Sequence, residues 1–282
     1  MSIKTIIVYL SSLFLIGCSS GQNDKSIIII PGPPQDLGWE FEQTPFWQDE
    51  FDYNGLPDPG KWGYDIGGSG WGNNELQYYT DQIENARSEN GILTITARKE
   101  DYEGKSYTST RLVSRTKGDL LYGRVEVRAK VPAGKGTWPA IWMLPTDWEY
   151  GGWPKSGEID IMEHVGYDPE VIHMSTHCEA YYWVLNNQKT ATRKVSGAIT
   201  NFQVYRIDWT PFAIKGYING QHLFTSYNEG TGYAAWPFDK RFHIILNVAV
   251  GGHWGGAQGI DDTSFPASME VDYVRFYRMI PK

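Results

Sequence analysis

The stretch GRVEVRAKV, residues 123–131, sets the first limit on the fold. Val125, Val127, Ala129 and Val131 fall on one side of an extended chain, and Arg124, Glu126, Arg128 and Lys130 on the other. GILTITARKE, residues 91–100, has the same period of two: Leu93, Ile95 and Ala97 alternate with Thr94, Thr96 and Arg98. YRIDW, IKGYI, QHLFTS, FHIILNVAV and VDYVRFY add further strand-like runs, and Asn219-Gly220 is a hairpin signal between two of them. No stretch holds a 3.6-residue period over three turns. Many short strands from Trp39 onward, with no second composition regime and no internal repeat, predict one all-β domain, a sandwich or jelly roll.

Two bulk properties bear on function. The chain carries 12 Trp, 18 Tyr and 31 Gly in 282 residues, a profile of β folds that meet a ligand through flat apolar faces. The formal net charge is −8, which excludes a nucleic-acid partner and disfavours sulfated polysaccharides; a neutral ligand fits best.

The N-terminus reads as an export signal. Lys4 precedes the apolar run IIVYLSSLFLIG, too short for an ordinary membrane-spanning helix, and the run ends at Cys18. LIGC resembles a bacterial lipoprotein signal with cleavage before Cys18 and a lipid on its thiol. The expected organisation is a signal peptide over 1–17, a lipidated tether over 18–37 and a catalytic domain over 38–282. The tether holds an isoleucine run, Ile27–Ile30, that could pair as an edge strand, and then PGPP. With Cys18 acylated, Cys178 is left without a disulfide partner.

GEIDIMEHVG, residues 157–166, puts Glu158, Asp160 and Glu163 within six residues, interleaved with Ile159, Ile161 and Met162. A helix would scatter the three carboxylates. On a strand, Glu158 and Asp160 share a face and Glu163 is out of phase by one residue. A β-bulge near Ile161-Met162 would bring it back. Paired carboxylates are what a retaining glycosidase needs, one as nucleophile and one as acid/base, and a third charge between them raises the proton affinity of its neighbours. Lys155 and His164, the nearby basic residues, are too few to neutralise all three. An inert polar face and a Ca²⁺ or Mg²⁺ site are the weaker readings.

The motif EIDIME resembles the signature of glycoside hydrolase family 16 in its bulged form. WGNNELQYYT, ARKE, GRVEVRAKVPAGKGTWPAIWMLP, YRIDWTP, LNVAVGG and VDYVRFY are similar to the laminarinase-like branch, so the resemblance spans nearly the whole domain. It implies a jelly roll of two curved antiparallel sheets with an open cleft, and endo-hydrolysis of β-glucan with retention. It implies Glu158 as nucleophile, Glu163 as acid/base and Asp160 as the assisting carboxylate. It places Trp138 and Trp142 near the cleaved bond; Ile141 and Met143 supply the alternate, core-facing set. Asn73 and Arg98 are implied as binders of sugar hydroxyls, His177 as a neighbour of the nucleophile and Trp254 as a lining residue. No cofactor is implied for catalysis. A structural Ca²⁺ at Glu50 and Asp272, away from the cleft, is the one metal expectation. The segment 178–195 departs from the family pattern, which leaves β-1,3 against mixed β-1,3/1,4 linkage open.

The expectation is therefore an exported, monomeric endo-β-glucanase, anchored through Cys18 to the bacterial cell envelope at the outer membrane or cell surface, acting on neutral β-glucan. The rival readings are a non-catalytic β-glucan-binding surface protein and a hydrolase of another polysaccharide such as a galactan.

Overall fold

The structure, a computed structural model, describes residues 32–280. The signal peptide, Cys18 and the Ile27–Ile30 run lie outside the described residues. Residues 32–37, expected as the end of the tether, lie on the domain, where Lys215 pairs with Asp36 at 3.2 Å. No helix among the described residues is long and apolar enough to cross a membrane.

Among the described residues the helical turns are two short 3-10 segments, Trp183–Leu185 and Asp262–Ser264. The strands form two sheets. The eight-stranded sheet runs in the order Lys189–Lys194, Val171–His177, Glu158–Glu163, Thr137–Pro145, Phe242–Val250, Arg111–Val113 and Gly63–Tyr64, with Asp119–Leu120 paired to the start of Phe242–Val250. The spine of the eleven-stranded sheet is Gln221–Tyr227, Ala213–Ile218, Gln203–Trp209, Gly123–Lys130, Ala267–Ile280 and Ile92–Tyr102. All these pairings are antiparallel; Gln77–Tyr79 with Lys105–Ser109 is a parallel pair.

The alternation read from the sequence is what holds the sheets together. Leu93, Ile95, Ala97, Val125, Val127 and Ala129 are fully buried from one sheet, and Ile141, Met143, Ile159 and Ile244 from the other. They belong to one continuous core. Each fully buried aliphatic side chain contributes about 1.5–3 kcal/mol relative to exposure, so the strand pattern and the core are one energetic fact. The predicted hairpin is present: Asn219 and Gly220 both take positive φ, at 50° and 77°, and Ile218 pairs with Gln221.

Candidate active site

The three carboxylates lie on the strand Glu158–Glu163, in the middle of the eight-stranded sheet. Against Thr137–Pro145, Met162 faces Ile141 and Asp160 faces Trp142, so Ile161 is an extra residue on this strand. Against Val171–His177, Asp160 faces Ser175 and Glu163 faces His173, again one residue more than regular pairing allows. This is the bulge expected at Ile161-Met162. Ile161 and Met162 are consecutive, yet both are fully buried in the core. Two successive apolar side chains take core positions, and Glu163 swings to the face of Glu158 and Asp160.

Each carboxylate has distinct partners. The Trp153 indole Nε1–H donates to Glu158 Oε2 at 2.9 Å. The Trp138 indole Nε1–H donates to Glu163 Oε1 at 3.0 Å. His177 faces Glu158 across the strand pair, and its Nε2 lies 3.3 Å from Asp160 Oδ2 and 3.9 Å from Glu158 Oε1. Among the described residues no Lys or Arg forms an ion pair with any of the three.

Burial without a cation shifts all three upward. Glu158 is pushed to about 8, first by loss of solvent and then by the Asp160 charge, with His177 and the Trp153 N–H opposing. Asp160 is pushed to about 8 by burial, opposed by its hydrogen bond with Glu158. Glu163 is pushed to about 8 by burial and then by Asp160, with His177 and the Trp138 N–H opposing. Three carboxyls this close titrate as one cluster, which at neutral pH retains protons. That is the condition acid/base chemistry needs: an ionised carboxylate and a protonated neighbour on one face.

The surrounding residues form a polar and aromatic floor. Trp142 shares the face of Trp138, and its Nε1–H donates to Asn247 Oδ1 at 2.7 Å. The Arg111 guanidinium lies between the Trp71 and Trp142 rings, 4.8 and 4.7 Å from their centroids, and pairs with Asp65 at 3.2 Å. Glu75 is buried and receives hydrogen bonds from Asn73 Nδ2, Gln77 Nε2 and Tyr79 OH. Burial raises its pKa against those donors. Trp254 stands edge-on to Trp138 at 5.4 Å and to His173 at 4.8 Å.

Asn73, Trp138, Trp142, His177 and Trp254 are thus gathered around the carboxylates. Arg98 is not. It lies on Ile92–Tyr102 of the other sheet, whose Leu93, Ile95 and Ala97 face the core. Arg98 therefore points out of the far side of the sandwich and pairs with Glu100 at 3.1 Å. The alternation assigned its neighbours correctly; it did not tell which outward face borders the cleft. At the two residues of the calcium expectation, both carboxylates face arginines. Glu50 accepts a two-pronged hydrogen bond from Arg275 at 2.8 and 2.7 Å, and Asp272 is paired with Arg128. Each carboxylate is matched by a guanidinium, a poor arrangement for a cation. Among the described residues the group able to offer three ligand atoms is Glu158, Asp160 and His177.

Four residues of the site went unread in the sequence: Trp153, Arg111, Asn247 and Glu75. Asn247 carried a usable signal, being the one amide inside the apolar run FHIILNVAV. Trp153 sits in a loop with no period, and only its position five residues before Glu158 hinted at contact.

Residues 72–275 match the family described as Glycosyl hydrolases family 16. The chain is 51% identical over 274 residues to a β-glucanase of Rhodothermus marinus, covering 94% of this chain and 92% of that protein. The solved laminarinase of Rhodothermus marinus superposes with a TM-score of 0.84 at 52% identity, covering 86% of this chain and 99% of the other. SCLam, a non-specific endo-β-1,3(4)-glucanase, superposes with a TM-score of 0.79 at 44% identity over 88% of this chain and 95% of the other.

Proposed function

The chain belongs to glycoside hydrolase family 16, and from that premise we propose that it is an endo-acting, retaining β-glucanase that cuts β-1,3-glucan of the laminarin type. The observation that carries this is the bulge, which puts Glu158, Asp160 and Glu163 on one face where, among the described residues, no Lys or Arg pairs with them. The similarity to a laminarinase and to a β-1,3(4)-glucanase supports the substrate class.

The steps follow from the contacts. Glu158, ionised and held by the Trp153 N–H, attacks the anomeric carbon. The glycosidic C–O bond breaks as Glu163 passes its proton to the departing oxygen, leaving a glycosyl ester on Glu158. Glu163, now ionised, takes a proton from water, and that water opens the ester with a second inversion. The Trp138 N–H suits both states of Glu163, because it fixes one oxygen and leaves the other to carry the proton. Asp160 shares a hydrogen bond with Glu158 and lies against His177, which orients the nucleophile. The chemistry uses these side chains and water and no cofactor.

Cleavage of mixed β-1,3/1,4-glucan is the finer part of the proposal, and the SCLam likeness favours it. The exported, monomeric, lipid-anchored state is also proposed, on the LIGC sequence ending at Cys18, with the anchor at the outer membrane or cell surface. The test is release of reducing ends by the full chain from laminarin and, in parallel, from barley mixed-linkage glucan, with the first-formed anomer read by NMR. Short β-anomeric oligosaccharides from laminarin are expected. No release from either polymer sinks the proposal, and release from laminarin alone narrows it to a 1,3-specific enzyme. Labelling with a palmitate analogue, lost in Cys18→Ser, tests the anchor.

A further inference from the structure

The segment 178–195 contains the largest exposed apolar group near the carboxylates. Trp183, Val184 and Leu185 are 46, 56 and 53% exposed on one short 3-10 turn. Side chains of this kind are costly to leave in water without a use.

The turn is not a loose tip. Asn187 Oδ1 accepts from the Tyr182 backbone N–H at 3.1 Å, and Asn187 Nδ2 donates to the Ala180 carbonyl at 3.0 Å. Asn186 closes the 3-10 turn in the left-handed region at φ 53°. At its base, Tyr181 OH donates to Glu229 at 2.8 Å, and Lys189 pairs with Glu229 at 3.2 Å. The loop is fastened at both ends and presents its apolar side chains outward.

Where it reaches is the decisive point. It leaves the sheet after His177, at the end where Glu158 begins its strand. The loop after Val250 leaves from the opposite end, beside Thr137 and toward Glu163. Yet the two loops meet. Tyr182 packs edge-on against Trp153 at 5.6 Å, and Trp153 donates to Glu158. One residue on, Trp183 faces His253 at 6.3 Å. His253 is held by Asn74 Nδ2 at 3.0 Å and by its own N–H to the Asn73 carbonyl at 2.8 Å, in the group of residues around Trp138 and Glu163. A contact between loops from opposite strand ends, with both tips on the carboxylate face, has to pass across that face.

We propose that the Tyr182–Leu185 turn is a strap across the cleft, and that Trp183 is a sugar-binding platform on it, holding a glucosyl unit of a bound β-glucan chain against the His253 side. A glucosyl ring offers flat C–H faces, and an exposed indole gains contact area against them at little conformational cost. The ligand class rests on the β-glucanase reading; the strap itself rests on loop geometry.

The test is calorimetric binding of β-1,3-linked glucose oligosaccharides to the full chain carrying Glu158→Gln, so that nothing is consumed, with and without Trp183→Ala. The gain in affinity from disaccharide to hexasaccharide is expected to shrink by roughly tenfold in the double variant, the scale of one aromatic stacking contact. Trp183→Phe should recover most of it, and the unfolding temperature should hold, because Trp183 is half exposed. An unchanged gain, or an equal loss at both lengths, overturns the platform. Turnover by the wild-type chain on laminarin is read separately. A wild-type chain that cleaves no β-glucan, while Trp183→Ala still erases the length-dependent gain, overturns the hydrolase reading and leaves the strap standing.

Discussion

The two sheets treat their carboxylates in opposite ways. On the outward side of the eleven-stranded sheet, Asp208 receives a two-pronged hydrogen bond from Arg124 at 2.7 and 3.0 Å. Glu270 pairs with Lys130, Asp272 with Arg128, Glu100 with Arg98 and Glu50 with Arg275. Each of these five carboxylates has a cation. On the carboxylate face of the other sheet, three acids have two indole N–H groups and one histidine between them. The first arrangement is ordinary surface pairing, worth little per pair. The second is costly, since desolvation and mutual repulsion are left uncompensated. A fold retains that cost where the chemistry needs a carboxyl able to hold a proton at neutral pH.

The largest test of the contrast is Glu158→Gln. Loss of the nucleophile should lower kcat on laminarin by a factor on the order of 10⁴ or more. The same change removes one member of a repelling cluster, so the variant should unfold at a higher temperature than the parent, by about 2–4 °C for about 1 kcal/mol. A variant that loses stability along with activity would show that Glu158 supports the fold as the outer pairs do.

Next in size is Trp138→Phe, which keeps an aromatic ring and deletes the donor to Glu163. The N–H favours the ionised form, so its loss raises the Glu163 pKa further and should move the alkaline limb of the pH–rate profile upward. A fall in kcat of roughly tenfold should accompany it. An alkaline limb that moves down, or stays in place, would remove Glu163 from the acid role.

The cluster also sets a stability slope. Glu158, Asp160 and Glu163 have unfolded values of 4.5, 3.8 and 4.5 and folded values of about 8. A group whose pKa is raised on folding stabilises fully below its unfolded value and loses that contribution as pH rises through the folded one. Chemical denaturation should therefore show stability falling between about pH 4 and pH 8 through this cluster. The triple variant with Gln, Asn and Gln should flatten that slope; an equal slope in both proteins would place the titration elsewhere.

How much of this was legible follows from what alternation encodes. The period of two in 123–131 and 91–100 gave strands and their core faces, because burial acts residue by residue. The bulge was legible because Glu163 was out of phase with two residues it had to join. What alternation leaves open is which outward face borders the cleft, and Arg98 went to the wrong one for that reason. Trp153 and Arg111 reach the site through loop geometry and sheet pairing between distant segments, which no local pattern holds. Trp138 and Trp142 were legible as a shared face, but not as hydrogen-bond donors to Glu163 and Asn247, a matter of ring orientation.

The smallest expected effect lies on the outer sheet. Glu50→Gln breaks the two-pronged bond with Arg275, whose side chain and partner are each about a third exposed. Solvent screens such a pair, so the loss should be no more than about 1 kcal/mol, read as a drop of about 2–4 °C in unfolding temperature, with kcat and KM on laminarin unchanged. Because Arg275 and Arg128 already neutralise Glu50 and Asp272, a chelator should leave the wild-type unfolding temperature where it was. A chelator-sensitive wild type, with the sensitivity lost in Glu50→Gln, would mean that a cation displaces the guanidinium in solution. The outer sheet would then no longer be a surface whose acids are matched by side chains alone, and its contrast with the uncompensated acids of the cleft would weaken at that one point.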